Sequence, residues 1–406
     1  MDDQNLTKHG IIVVASTMAV NFLNYLYQLL MGRFLSVEDY GILYSLLSLL
    51  YIINVGGTAL QTSLARYTSK LKAHGKYGKI RYLWESSYRG TILIGILSFV
   101  FISLLSSVVS QFLNISNSLY VVLLALFLVL SFVLPANMGV LIGLQEFVKF
   151  GSANVFWALL KLVFGVLLVL AGFGVSGGLI SLSLANLLAF LATFLIIKNL
   201  LTAKLEHFDF KGIYSYSTLA LVTGFSFTTM TYADVLVSKH YLDPTSAGGF
   251  SALSVLGKIV FFASSGIALA MFPKTSENFE KNKSHSALLS KALAYTVLIG
   301  GFVTILFLLF PTFIVELMFG NKYPSIVPYM FGYGLAMLLF SITGLLSNYA
   351  LSIHRTKIAY FMFLALLVEL SLLYSYHSSL QDITNAMLLS GASAIILMIV
   401  NLRFVK

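Results

Sequence analysis

The sequence predicts an all-α polytopic membrane protein of about 12 transmembrane helices, arranged as two six-helix bundles related by a parallel pseudo-twofold repeat. Three observations carry that prediction. Apolar stretches of roughly twenty residues follow one another along the whole chain. Lys and Arg concentrate in alternate loops, and the two halves resemble each other at a nearly constant shift.

A hydrocarbon core about 30 Å thick takes about 20 apolar helical residues to cross. Stretches of that kind fall at 10–31, 41–64, 88–111, 118–142, 151–171, 177–197, 213–237, 248–271, 288–313, 324–351, 358–376 and 382–402. Cationic loops stay on the cytoplasmic side during insertion. Of the 25 Lys and Arg, only Arg33, Lys239 and Lys322 lie in loops of one side, Lys161 and Lys258 lie within spans, and all others fall on the opposite side. Both termini are therefore expected in the cytoplasm, and the protein in the cytoplasmic (inner) membrane.

Charged residues make up 10% of the chain and apolar ones 58%, against about 25% and 45–50% in soluble domains. That composition excludes a soluble class. The net charge of +10 follows from the loop rule, so anionic headgroups rather than nucleic acid are the expected partners of the basic loops. With no cysteine, disulfides, thiolate metal sites and cysteine nucleophiles are ruled out. The first apolar run is too long for a signal-peptide core and reads as a retained helix. The polar segments 65–87, 198–212 and 273–287 are each too short for a core of their own.

The repeat is legible within the chain. Arg33-Phe-Leu-Ser-Val-Glu-Asp-Tyr-Gly41 matches His240-Tyr-Leu-Asp-Pro-Thr-Ser-Ala-Gly248 at a shift of 207, and Gly143-Leu-Gln-Glu-Phe matches Ser352-Ile-His-Arg-Thr at 209. Ser36 and Asp243 are good helix N-caps, and Pro244 suits a first helical turn. The bundles are expected at 1–197 and 213–406, joined by a polar cytoplasmic linker at 198–212. An even number of helices per half makes the repeat parallel, and such repeats rock about a central site.

Few polar residues interrupt the spans. Lys161 and Lys258 sit at the midpoints of the fifth and eighth, where an unpaired charge costs at least about 2.5–3.5 kcal/mol. Lys258 shares a stripe with Ser251, Ser254 and Ser265. Asn21, Asn24 and Gln28 form a comparable stripe on the first span, and Thr231, Asp234 and Ser238 one on the seventh. These faces suggest a vestibule, with interhelical hydrogen bonding as the plainer alternative. Asp234 lies near Lys239, which suggests a local salt bridge. Glu369 corresponds through the repeat to a position beside Lys161. Gly332-Tyr333-Gly334 lies inside an apolar span instead of a pore loop, so it is set aside as an ion filter. No phosphate-cradling Gly-Lys-Ser/Thr loop exists, no histidine spacing suits a metal, and no nucleophile–base pair emerges. No enzyme activity and no cofactor are expected.

The hairpin GRFLSVEDYGILYSLLSLL (32–50), the exit LARYTSK (64–70), the stretch YADVLVSKHYLDPTSAGGFSALSVLGKI (232–259) and MFPKTSENFE (271–280) resemble the polysaccharide-exporter branch of the multidrug/oligosaccharidyl-lipid/polysaccharide flippase superfamily. The resemblance runs through the whole chain. It implies alternating-access translocation of polyprenyl-linked oligosaccharides for surface polysaccharide biosynthesis, through a cleft lined chiefly by spans 1, 2, 7 and 8. By motif it points to Arg33, Arg66, Asp234, Lys239 and Lys258. Cationic groups suit a substrate pyrophosphate, which adds Lys161. Asn21, Asn24 and Gln28 suit its sugars, with Tyr25 and Trp157 as stacking platforms. The lipid II flippases of the superfamily carry two further helices that are missing here. A cation-coupled multidrug antiporter of the same fold is the alternative; it wants acidic residues in the cavity, and none lies deep within spans 1–6. Expected partners are the lipid-linked oligosaccharide, membrane lipids and Na⁺ or H⁺, with the chain acting as a monomer beside glycan-assembly proteins.

The orientation is checked in intact cells. A single cysteine replacing Gly75 should resist an impermeant thiol reagent, whereas one replacing Asn117 should react. Labelling at position 75 from outside would reverse the topology.

Overall fold

In the absence of water, a lipid-exposed backbone must satisfy its hydrogen bonds within its own segment, and the chain does so with helices. The computed structural model describes residues 3–208, 214–281 and 283–404, and no strand occurs among them. Lys211 and the side chain of Ser265 lie outside the described set.

In chain order the helices are α1 (Asp3–Phe34), α2 (Val37–Ile53), α3 (Val55–Ala73), α4 (Tyr77–Leu104), α5 (Ser106–Phe112), α6 (Leu119–Ser131), α7 (Leu134–Gly143), α8 (Phe147–Leu168) and α9 (Gly174–Ile197). They continue as α10 (Tyr214–Tyr241), α11 (Pro244–Glu280), α12 (Ser286–Leu309), α13 (Pro311–Phe319), α14 (Met330–Ser352), α15 (Ile358–Ser375) and α16 (Leu380–Phe404). Ten continuous helical stretches among the described residues are long and apolar enough to cross a membrane. One of them, Phe147–Thr202, holds two passes. A π-helical turn at Val169–Phe173, with Gly172 at φ 91° and Gly174 at φ 52°, lets the chain double back so that α8 and α9 pack side by side. With α10 the passes match the twelve expected from the sequence, and the protein is a multi-pass membrane protein.

Helix ends follow local chemistry. The Asp243 carboxylate accepts the Thr245 and Ser246 N–H groups at 3.1 and 3.0 Å ahead of Pro244, and Ser36 Oγ accepts the Asp39 N–H at 3.0 Å. Both expected caps are thus formed. Four passes are broken where the sequence suggested continuous helix, the third at Leu105 and the ninth at Phe310 among them. The second divides at Asn54, and the fourth divides before α7, where Pro135 lacks an N–H and opposes the carbonyl one turn back. The third begins at Tyr77 rather than near 88. Its polar first turns are held by Arg81 Nε, which donates to Glu85 at 2.6 Å.

The chain forms two compact units. The first comprises Met1–Asp39 and Ile53–Ser217. Its core contains a satisfied polar chain: Trp84 Nε1 donates to Asn137 Oδ1 at 2.9 Å, and Asn137 Nδ2 donates to Thr193 Oγ1 at 2.9 Å. Arg81 also reaches the linker, donating to the Leu201 and Ala203 carbonyls at 2.6 and 2.8 Å. The second unit comprises Tyr40–Ile52 and Thr218–Lys406. Within it α2 and α11 approach backbone to backbone at the two glycines paired by the repeat. A Cβ on Gly41 would lie 2.8 Å from the Gly248 Cα.

Replacing Asn137, which is fully buried, with Leu strands the Trp84 N–H and removes a donor from Thr193. A loss of about 1–3 kcal/mol is expected, read as a lower melting temperature in detergent. Unchanged melting would remove this chain from the account of the core.

Candidate functional site

Two clusters bring together chemically capable side chains, one in each unit. In the first unit the deepest cation is Lys161 on α8, 2% exposed. Its ammonium donates to Asn24 Oδ1 on α1 and stands 4.6 Å from the centroid of Tyr27 and 5.1 Å from that of Trp157. Tyr27 is itself fixed, since its hydroxyl donates to the Gly178 carbonyl at 3.0 Å. Gly165 leaves room for its ring: a Cβ there would come within 2.5 Å of it. Asn24 and Gln28 share one face of α1, and Trp157 and Lys161 one face of α8. No Asp or Glu occurs in the sequence of 12–34 or of 147–197. Gln28 Oε1, Trp157 Nε1 and the Tyr25 hydroxyl are buried without a hydrogen-bond partner. Aromatic faces, unsatisfied amide and indole groups, and an ammonium without a carboxylate can receive a ligand carrying both negative charge and hydroxyls.

In the second unit Lys258 on α11 is also 2% exposed. Its ammonium donates to the Tyr44 hydroxyl at 3.1 Å and to Ser254 Oγ at 2.9 Å, and lies 3.8 Å from the centroid of Tyr232. The Tyr333 hydroxyl on α14 lies 3.2 Å from Ser254 Oγ and donates to the Asp234 carboxylate on α10. Asp234 accepts the Val235 N–H as well, at 2.8 Å. Lys258 and Asp234 are thus linked through Ser254 and Tyr333. Glu369 on α15 lies close enough to Asp234 and Tyr333 to interact electrostatically. Ser390 donates to its Oε2 at 3.1 Å, and its Oε1, fully buried, has no hydrogen-bond partner. Two buried carboxylates amid hydroxyls can take up a small cation. Among the described residues no group of three or more His, Asp or Glu is placed to hold a metal ion.

The residues singled out in the sequence therefore divide. Asn24, Gln28 and Lys161 come together in the first unit, and Asp234 and Lys258 in the second. Asn21 is exposed on α1, and Arg33 and Arg66 are exposed on α1 and α3. Lys239 is buried at the end of α10. Sequence reasoning did not single out Tyr27, Tyr44, Tyr232 or Ser390 for any role. Tyr333 was weighed only as part of a filter motif.

The fold and these clusters define a transporter-like membrane protein. Solved structures bear the architecture out. The chain is similar to a multidrug resistance MATE family transporter of the MOP superfamily in its inward-facing conformation, with a TM-score of 0.80 at 12% identity over 93% of this chain and 92% of that one. It is similar to the lipid II flippase MurJ in an inward closed conformation, with a TM-score of 0.72 at 14% identity over 97% and 87%. It is likewise similar to the eukaryotic MATE transporter AtDTX14, with a TM-score of 0.71 at 13% identity over 98% and 96%. No curated protein matches it in sequence. Residues 30–328 match the model of the family described as polysaccharide biosynthesis protein, and the chain belongs to that family.

The second cluster makes a stability prediction. Lys258→Met leaves Asp234 buried without its cationic neighbour and should cost about 3–5 kcal/mol. The double replacement Lys258→Met with Asp234→Asn should recover much of that loss. Melting of the four proteins of this cycle gives the coupling directly; additive losses would show that the two charges are independent.

Proposed function

We propose that the protein is a flippase that translocates a polyprenyl-(pyro)phosphate-linked oligosaccharide across the cytoplasmic membrane by alternating access, for surface polysaccharide biosynthesis. Its functional halves are 1–197 and 213–406, joined by the cytoplasmic linker 198–212, and both termini lie in the cytoplasm. Membership of a polysaccharide biosynthesis family supports the pathway. The likeness to a fold whose known members include the lipid II flippase supports the transport of lipid-linked sugars.

The observation that carries the substrate assignment is the Lys161 cluster. A lipid-linked glycan presents phosphate charge next to sugar hydroxyls. Lys161 offers the charge-assisted donor, Asn24 and Gln28 the amides, and Trp157 the ring face and an unsatisfied N–H. In a low-dielectric setting the attraction between ammonium and phosphate is strengthened. Arg33 and Arg66, at the two ends of the membrane-spanning region, meet the charged headgroup as it enters and leaves, with Asn21 and Lys239 as further contacts.

Na⁺ or H⁺ supplies the driving force at Asp234 and Glu369. The support is the unpartnered Glu369 Oε1, within electrostatic range of a second buried carboxylate. A cation removes the desolvation cost that this oxygen otherwise bears. Lys258, bridged to Asp234, carries the effect of that ion to the surrounding helices. No catalytic residue is assigned.

Purified protein in liposomes should bring a polyprenyl-pyrophosphate glycan from the inner leaflet within reach of an external glycosidase. Lys161→Met should slow this roughly tenfold or more, the effect of one lost hydrogen bond from a charged group, with melting unchanged. Exchange of cationic drugs for protons with the glycolipid left in place would replace this reading with the antiporter.

A further inference from the structure

The second span is one apolar run in the sequence, yet its two halves belong to different units. Tyr40–Ile52 packs with the second unit, and from Ile53 the chain belongs to the first. The changeover coincides with the break between α2 and α3 at Asn54, followed after Val55 by Gly56 and Gly57. Asn54 Oδ1 is buried with no hydrogen-bond partner, so the interruption is not stabilised by its own side chain. A Cβ added at Gly56 would meet nothing closer than 4.0 Å. Paired glycines at an unsatisfied helix interruption are a frequent place for a helix to bend.

What holds Tyr40–Ile52 to the second unit is specific. The Tyr44 hydroxyl accepts from Lys258 at 3.1 Å. The Tyr51 ring lies 4.9 Å from that of Tyr232, and the Tyr40 ring lies 5.9 Å from that of Phe319 and 6.2 Å from that of Tyr323. Gly41 allows the backbone approach to Gly248. Ring contacts and a hydrogen bond from a charged donor are among the contacts that hold α2, and none of these exposes a carboxylate on separating. The Lys258 ammonium also bonds Ser254, which lies within hydrogen-bond reach of Tyr333 and so of Asp234. The fastening of α2 and the buried carboxylate thus share one hydroxyl.

We propose that Tyr40–Ile52 is a moving half-helix, latched to the second unit by Lys258 and Tyr44 and released about a pivot at Asn54–Gly57. Its timing within a transport cycle rests on the flippase reading; the latch and the pivot do not. Chain connectivity makes the device economical. Any relative movement of the units must be absorbed where the chain passes between them, and here a passage falls on a break with two glycines.

The absence of native cysteine allows a clean test. Ser48→Cys places a thiol on α2 at a fully buried position, and Ser226→Cys places one on α10, equally buried in the same unit. In lipid nanodiscs both should react slowly with a small water-soluble maleimide. Adding Tyr44→Phe keeps the ring and removes the acceptor. It should raise the rate at 48 roughly tenfold or more and leave the rate at 226 unchanged. Adding Gly56→Ala to that protein should lower the rate at 48 again. An unchanged rate at 48, or a parallel rise at 226, overturns the latch. An unaltered rate after Gly56→Ala overturns the pivot. Failure of the liposome assay with these rates as expected counts against the flippase reading alone.

Discussion

Inside a bilayer a polar group has no water to turn to, and that constraint organises this protein down to single hydroxyls. Most buried Ser and Thr side chains meet it locally, by donating to a carbonyl of their own helix. Ser45 donates to Ile42, Ser48 to Tyr44, Ser251 to Ala247, Ser264 to Val260, Thr304 to Gly300 and Thr343 to Leu339. Such bonds need no partner helix and tolerate sliding between helices. Asn24, Lys161, Asp234, Ser254, Lys258, Tyr333 and Glu369 instead find partners one turn away or across the unit. The constraint thereby separates residues that merely cross the membrane from those whose chemistry is collective.

That separation explains what could be read from the sequence. Spans were legible because length and apolarity decide whether a segment can cross. Caps were legible because Ser36 and Asp243 act within three residues. Lys161, Lys258, Asn24 and Gln28 stood out because their burial is costly wherever they point. The tyrosines did not stand out. Tyr44 meets Lys258 across 214 residues, and Tyr333 meets Asp234 across 99. An aromatic in an apolar run gives no sign of which face its hydroxyl will find. The stripe of Ser251 and Ser254 was legible as a face but misleading as a pair, since only Ser254 joins the Lys258 cluster. The break at Asn54 was passed over because the flanking residues are apolar enough to hide two glycines inside one hydropathy peak.

The two lysines show why similar sequence signals support different roles. Lys258 has each of its donors engaged: a phenol at 3.1 Å, a hydroxyl at 2.9 Å and a ring face at 3.8 Å. A carboxylate also lies two hydroxyls away. An anion arriving there would have to displace well-made contacts and compete with Asp234, so the residue is better suited to holding helices than to holding substrate. Lys161 has one amide oxygen and two more distant ring faces, with no Asp or Glu in 12–34 or 147–197 of the helices that surround it. The Trp157 indole N–H is unsatisfied, and so is Gln28 Oε1, one turn along α1 from Asn24. The electrostatic gain from binding an anion is therefore larger at Lys161, and less is lost to make it. The second unit has the opposite character, with two buried carboxylates and a carboxylate oxygen lacking a partner. On the function proposed above, the first unit offers the place for a phosphate-bearing cargo and the second a separate place for a driving ion. The two occupants need not compete for the same charge.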